Sequence, residues 1–252
     1  MIKWQNVSAG YDRQDILHDI TLQAQKGRIL VLVGRNGCGK STLLKTLLNL
    51  KYQGEILIDD KPLSQYTTQE LAQKIAFLPQ RRNMSDISVE RMVLHGRFPY
   101  LNYPRRYRKI DYEICQKAMR QIGVEQYAHK NMKELSGGMQ QKAYIAMALA
   151  QETPIIVLDE PTIYLDIAHQ MQLLQLIRDL ASLGKTIVLV LHDLIQALQY
   201  GDDIALMKEG KIEAYGSAEE LYQNKQLQEV LKVSIEKIMT KDGPQYYYLM
   251  ND

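Results

Sequence analysis

Polar and apolar residues alternate along the first stretch of this chain and then give way to solid apolar blocks. Residues 2–7 and 16–24 alternate with the period of half-buried strands, and Gly10 to Gln14 read as the turn between them. The unbroken run Ile29-Leu30-Val31-Leu32-Val33 predicts a strand buried on both faces. Glu55-Ile56-Leu57-Ile58 predicts another, stopped by Asp59-Asp60-Lys61-Pro62. Thr67 and Glu70 are spaced as a capping box, so a short helix is expected there. Ile75-Ala76-Phe77-Leu78 is a further apolar strand, ended by Pro79.

The pattern changes between about Ser88 and Gln151. Runs of β-branched residues stop, and apolar residues recur at helical spacing: Ile114, Ala118, Met119 and Ile122, then Ile145, Ala146, Leu149 and Ala150. A mostly helical insertion is expected. Buried-strand runs return at Ile155–Leu158 and Ile187–Leu191, separated by a helical pattern from His169 to Leu183 that Gly184 closes. Strands apolar on both faces and alternating with helices imply an α/β protein with a parallel sheet covered on both sides. Ser217-Ala218-Glu219-Glu220 forms a second capping box. Ser234–Thr240 and Gln245–Leu249 flank Asp242-Gly243 as a hairpin. Tyr246, Tyr247 and Tyr248 are consecutive and cannot share a strand face, which favours a half-buried edge strand over an aromatic binding platform.

The stretch after the first apolar block carries the chemistry. Gly34-Arg35-Asn36-Gly37-Cys38-Gly39-Lys40-Ser41 lies between a strand and the helix-like run Thr42–Leu48, the context a phosphate-binding loop requires. Glycines let the backbone turn successive N–H groups toward one anion, and the helix start adds a partial positive charge. Gly34, Asn36, Gly37, Cys38, Gly39, Lys40, Ser41 and Thr42 are therefore the expected nucleotide-binding residues. Lys40 would reach the β- and γ-phosphates of a nucleotide, and the Ser41 hydroxyl would ligate Mg²⁺. Asp159 and Glu160 end the strand at 155–158; the first suits the Mg²⁺ shell, the second a general base that polarises water. Leu135-Ser136-Gly137-Gly138-Met139 precedes a strong helix, with Ser136 as N-cap and two glycines baring the first N–H groups, a second anion-accepting end.

Composition narrows the classes. With 252 residues, 46% apolar and 24% charged, the chain is an ordinary soluble globular protein with ample core. A formal net charge of +2 gives no ground for nucleic acid as a partner. The basic cluster Arg105, Arg106, Arg108 and Lys109 reads as a solvated loop. No apolar run approaches the ~18 residues of a spanning helix, and Met1–Asn6 has no signal-peptide core, so a cytoplasmic location is expected. Of the two cysteines, Cys38 lies inside the phosphate loop, where it reads as a small filling residue, and no structural disulfide with Cys115 is expected.

The chain resembles the ATP-binding subunits of ABC transporters. The phosphate loop matches that family's Walker A motif, Ile155–Glu160 its Walker B motif and Leu135–Gly138 its signature. Gln80 matches the Q-loop glutamine, His192 the switch histidine, and Pro161–Asp166 the D-loop. Tyr11 stands where the family stacks an aromatic ring on adenine, a contact that would also accept GTP. Met139 and Lys142 depart from the usual amide or acid and the usual arginine, so the signature loses polar contacts and a planar fork. Thr162–Gln170, Gly96–Tyr100 and Ala146–Gln151 are similar to importers of iron–siderophore, haem and cobalamin complexes.

The resemblance implies a P-loop NTPase (RecA-like) parallel-sheet core with an N-terminal antiparallel β subdomain and an inserted helical subdomain. Residues 1–87 and 152–216 would form the nucleotide-binding core, 88–151 the helical subdomain and 217–252 a C-terminal extension of one ABC ATPase domain. It implies ATP and Mg²⁺ as cofactors, with Glu160, His192, Gln80 and Lys40 catalytic and Ser41, Gln80 and Asp159 around the metal. It implies a homodimer in which Ser136, Gly137, Gly138 and Asp166 act across to the second copy's nucleotide. Transmembrane permease subunits and, indirectly, a substrate-binding protein are the remaining expected partners, at the cytoplasmic face of the membrane. Soluble ABC ATPases of translation or DNA repair are the alternative, disfavoured because one chain carries neither a second cassette nor a long coiled-coil insertion. A non-hydrolysing switch is disfavoured by Glu160 and His192, and an ABC subunit with another cargo stays open. His18, His95, His129 and His169 carry no such context and read as surface or core residues.

Overall fold

Strands form where alternation and apolar blocks predict them. The computed structural model describes residues 1–11, 14–48, 50–80, 86–241 and 243–249. The chain opens with β1 (Ile2–Tyr11), β2 (Gln14–Ala24), β3 (Ile29–Gly34), α1 (Lys40–Lys45), β4 (Tyr52–Ile58) and β5 (Lys61–Pro62). Next come α2 (Thr68–Lys74), β6 (Ile75–Leu78), α3 (Val89–Leu94), α4 (Lys109–Ile122), α5 (Gly137–Ala150), β7 (Ile155–Asp159) and α6 (Ile167–Ser182). The chain continues through β8 (Thr186–Val190), α7 (Leu194–Tyr200), β9 (Asp203–Lys208), β10 (Lys211–Ser217), α8 (Ala218–Gln223) and α9 (Gln226–Leu231). A hairpin of β11 (Ser234–Thr240) and β12 (Gly243–Leu249) follows. Asp242 of the expected hairpin turn, and Asp12 and Arg13 of the turn after Gly10, lie outside the described residues. Two units are separable: Met1–Gln65 with Arg178–Asp252, and Tyr66–Ile177.

In the first unit, an antiparallel sheet of order β2-β1-β4-β5 buries one face, with Ile2, Trp4, Val7, Ile20, Ile56 and Ile58 inside. Alternation produces this, since a strand presents every second side chain to one side. β1 bulges against both neighbours. At one bulge Asn6 adopts φ 51° and its amide donates to Asp19, itself at φ 55° (2.8 Å), two residue types that tolerate left-handed backbone. Trp4 Nε1 donates to Thr46 Oγ1 (3.2 Å) and ties this sheet to the end of α1. β3 pairs parallel with both β8 and β9, and β10 folds back antiparallel on β9. Residues 29–33 are all buried, as a strand between two others and two layers must be. The β9–β10 pair is not marked in the sequence by any clean alternation.

In the second unit β6 and β7 pair parallel, Leu78 opposite Leu158. Thr153 Oγ1 accepts from Ala76 N–H (3.1 Å) and donates to the Ile155 carbonyl (2.7 Å), starting both strands level. α2 begins with the Thr67–Glu70 capping box that the spacing predicts. On α4 the buried apolar residues are Cys115, Ala118 and Met119. On α5 burial runs around most of the helix, through Ala143, Tyr144, Ile145, Ala146, Ala148 and Ala150, rather than along the single stripe expected. Leu149, expected inside, is half-buried.

One charged pair lies in this core. Arg97 Nε meets Asp111 Oδ1 at 3.1 Å, and Arg97 Nη1 donates to the Ala150 carbonyl at 2.8 Å. Asp111 also accepts from the backbone and guanidinium of Arg108 (2.9 and 3.3 Å), which fixes the start of α4. Removing one partner of so buried a pair costs about 3–5 kcal/mol, because the other charge is left uncompensated. Cys115 is fully buried beside it, and that burial pushes its thiol up to about 12. No helix among the described residues is long and apolar enough to cross a membrane.

Candidate functional site

The phosphate loop runs from the end of β3 into α1. Gly39, at φ 106°, is the N-cap of α1 and offers no side chain to its first N–H groups, which therefore face an incoming anion. Lys40 is buried, and its Nζ donates to the carbonyls of Gly34 (2.7 Å) and Arg35 (3.0 Å), curling the loop around the ammonium. Gly34 cannot be replaced: at φ 147°, a Cβ there would stand 2.3 Å from the Met207 carbonyl. Gly210 N–H donates to the Cys38 carbonyl (3.1 Å), so the β9–β10 turn braces the loop from behind. Asn36 and Gly37 are exposed at the tip, Cys38 and Thr42 are buried, and Ser41 is half-buried at the first turn of α1.

His192 lies at the same carboxyl edge of this sheet. β3 and β8 are parallel with Leu32 opposite Val190, and Leu191 N–H donates to the Leu32 carbonyl (3.2 Å). The residue that follows is thus delivered beside the strand feeding the loop, which is the crevice where parallel sheets bind ligands. Asp193 then caps α7 by accepting from Ile195 N–H (2.8 Å). Tyr11 ends β1 with its ring exposed, and Lys45, on the last turn of α1, holds its Nζ 5.6 Å from the ring centre. The ring is thereby kept near the helix that the loop begins.

In the second unit the parallel register brings Gln80 and Glu160 together at the ends of β6 and β7. Gln80 Nε2 donates to Glu160 Oε2, leaving the amide oxygen Oε1 as the atom by which Gln80 would meet a cation. Asp159 and Glu160 are both buried. Glu160 adopts φ 53°, a left-handed conformation that costs a non-glycine residue about 1 kcal/mol or more and is typical of functional turns. Gln80 and Asp159 of this unit offer an amide carbonyl and a carboxylate. Such hard oxygen donors suit Mg²⁺, which keeps several waters and takes its remaining ligands from phosphates.

α5 starts at the two glycines that the sequence places after Ser136. Ser136 caps it, accepting from Met139 N–H (3.4 Å). Tyr164, at φ 68° and largely exposed, lies along Gly137 and Gly138, its carbonyl 3.0 Å from where a Gly138 Cβ would stand. Gln141 Nε2 donates to the Pro161 carbonyl (2.6 Å), anchoring the same loop to the helix. A hollow of 460 Å³ gathers Ser136, Gly137, Gly138, Lys142, Asp166 and His169. Asp166 accepts from the His169 backbone N–H (2.9 Å) and faces its ring Nδ1 (2.8 Å). These bonds hold its carboxyl below the usual range. Burial lowers the Lys142 ammonium, against the pull of Asp166.

The sequence reading missed three of these partners. His169, which carries no motif, orients Asp166, and the i, i+3 spacing is its signal. Gln141 has no motif that points to Pro161. The contact of Tyr248 with the turn after His192, described below, spans more than fifty residues and leaves no local trace.

The chain matches the family model described as ABC transporter over residues 17–163. It is 39% identical over 224 residues to the ferric enterobactin transport ATP-binding protein FepC of Escherichia coli, covering 87% of this chain and 83% of that protein. It is 34% identical to the petrobactin import ATP-binding protein FpuC of Bacillus anthracis over 97% of this chain and 91% of that one. Among solved structures, a metal-chelate type ABC transporter in an inward-facing conformation superposes with TM-score 0.82 at 28% identity, covering 99% of this chain and 97% of the other. The ATP-binding cassette MJ0796, a dimer in a post-hydrolysis state with ADP and Pi, superposes with TM-score 0.77 at 29% identity, covering 86% and 99%.

Proposed function

This chain belongs to the ABC transporter family, and we propose that it hydrolyses ATP to power an importer of iron–siderophore complexes. The relatives named for enterobactin and petrobactin support the cargo class. The observation that carries the chemistry is the pairing of Gln80 with Glu160, a glutamine placed to sense and a carboxylate placed to act.

The residue roles follow from their chemistry. The first N–H groups of α1 and the Lys40 ammonium bind the β- and γ-phosphates, and Tyr11 stacks on the base. Ser41, Asp159 and Gln80 would hold Mg²⁺, which would supply charge neutralisation at the phosphate oxygens. Glu160 takes a proton from the attacking water, and Gln80 orients the Glu160 carboxylate. His192 hydrogen-bonds the γ-phosphate and positions that water. Ser136, Gly137 and Gly138 complete the charge stabilisation on the nucleotide of a second copy, with Asp166 at the same interface. ATP holds the two copies together, and loss of the γ-phosphate releases them, a shift of population driven by differential binding.

The membrane partners are proposed as permease subunits fed by a substrate-binding protein, with this chain peripheral on the cytoplasmic face. Purification of the tagged chain from membranes tests the whole reading. The expected result is co-isolation of a permease with MgATP turnover that a siderophore-loaded binding protein stimulates. Co-isolation with ribosomes or a repair complex, and no permease, would replace it with the soluble alternative.

A further inference from the structure

The residue before His192 is tied to the sheet, since Leu191 N–H donates to the Leu32 carbonyl (3.2 Å). The residues after it are tied to the C-terminal hairpin. Tyr248 Oη accepts from Leu194 N–H (3.2 Å) and donates to Asp193 Oδ1 (3.2 Å). Asp193 Oδ1 in turn accepts from Ile195 N–H (2.8 Å). One phenol therefore bridges the cap and the first turn of the helix that starts two residues after His192.

The hairpin does not depend on that bridge for its place. Tyr246 is buried and packs edge-on against Tyr222 of α8, with ring centres 5.2 Å apart, and Ile235 is buried on the same face. Burial raises the Tyr248 hydroxyl above its ordinary range, with the Asp193 carboxylate adding to the shift, so the phenol keeps the proton it donates throughout the working pH range.

We infer that Tyr248 is a positioning residue for ATP hydrolysis: its hydroxyl, from a C-terminal hairpin outside the nucleotide-binding motifs, locks the turn after His192 so that the imidazole is held toward the γ-phosphate. This inference rests on the proposed role of His192. Leu194 is buried, so removal of the hydroxyl leaves its N–H without that acceptor, and the first turn of α7 rotates to find another.

The test uses the full chain and Tyr248→Phe, which keeps the ring and its packing. Turnover of MgATP is expected to fall about three- to tenfold, with the KM for ATP within about twofold, because the lost interaction matters in the transition state. The ring ¹⁵N signals of His192, identified as those absent in His192→Ala, are expected to shift. The double variant Tyr248→Phe with Asp193→Ala is expected to lose little more than Asp193→Ala alone, as partners in one network do. Unchanged turnover in Tyr248→Phe overturns the inference. So does a loss that disappears when both proteins are assayed equally far below their melting temperatures, which would make the hydroxyl a brace for stability only. His192→Ala separates the two levels. If it retains full turnover, the role of His192 itself fails; if it is inactive while Tyr248→Phe is normal, only the positioning role fails.

Discussion

Gln80 donates its amide proton to Glu160 from the end of a neighbouring parallel strand. The glutamine thus fixes one oxygen of the carboxylate proposed as the general base. Glu160→Gln is expected to lower MgATP turnover by at least about 10²-fold, the range of general-base catalysis, while ATP still binds. Size-exclusion chromatography with ATP is expected to show an accumulating dimer. Wild-type turnover in this variant would remove Glu160 from the base role.

Lys40 is held by two loop carbonyls, so its loss disturbs both the charge and the cradle. Lys40→Ala is expected to weaken ATP binding by about 10- to 100-fold, the worth of a charge-assisted contact. Titration of a fluorescent ATP analogue measures this, and affinity equal to wild type would count against the loop as the phosphate site.

Two glycine-to-alanine changes should behave in opposite ways. Gly137→Ala places a methyl 3.6 Å from the Tyr164 side chain, an ordinary contact, so melting temperature is expected to hold. Turnover is expected to fall nonetheless, since the methyl covers the N–H groups proposed to meet a second copy's phosphate. Gly34→Ala meets a backbone carbonyl at 2.3 Å and is expected to give little folded protein. Thermal denaturation beside an ATPase assay distinguishes the two cases.

Burial alone would raise Asp111, but the Arg108 backbone N–H and the guanidiniums of Arg108 and Arg97 outweigh it and hold the carboxyl below its usual range. A depressed carboxyl contributes stability that is fully present above its unfolded-state value and is lost as pH falls through the folded one. Asp111→Asn is therefore expected to lower the urea midpoint at pH 7. It is also expected to flatten the further loss below about pH 4 that the wild type shows. Parallel acid dependence in the two proteins would show that the pair contributes nothing through ionisation.

Much of this was legible in the chain because the physics is local. Residues 29–33, 75–78 and 155–158 are strands since apolar runs of that length, bounded by Gly or Pro, have few other uses. The capping boxes at Thr67 and Ser217 appear as written, each satisfying orphan N–H groups within four residues. What stayed hidden is either non-local or polar. The Arg97–Asp111 pair joins residues in separate segments, and no spacing rule marks it. β9 and β10 carry polar flanks and a Glu209-Gly210 turn, too weak a signal against the helices around them. The left-handed backbone of Glu160 and Tyr164 cannot be read from residues that ordinarily avoid it.

The burial of Cys115 has a practical side. Burial both shields this thiol and pushes it up to about 12, so it is poorly ionised at neutral pH and slow to react in the folded protein. Replacing Cys38 alone would give a background of low maleimide reactivity, onto which paired spectroscopic labels could be placed to test the proposed opening and closing of two copies.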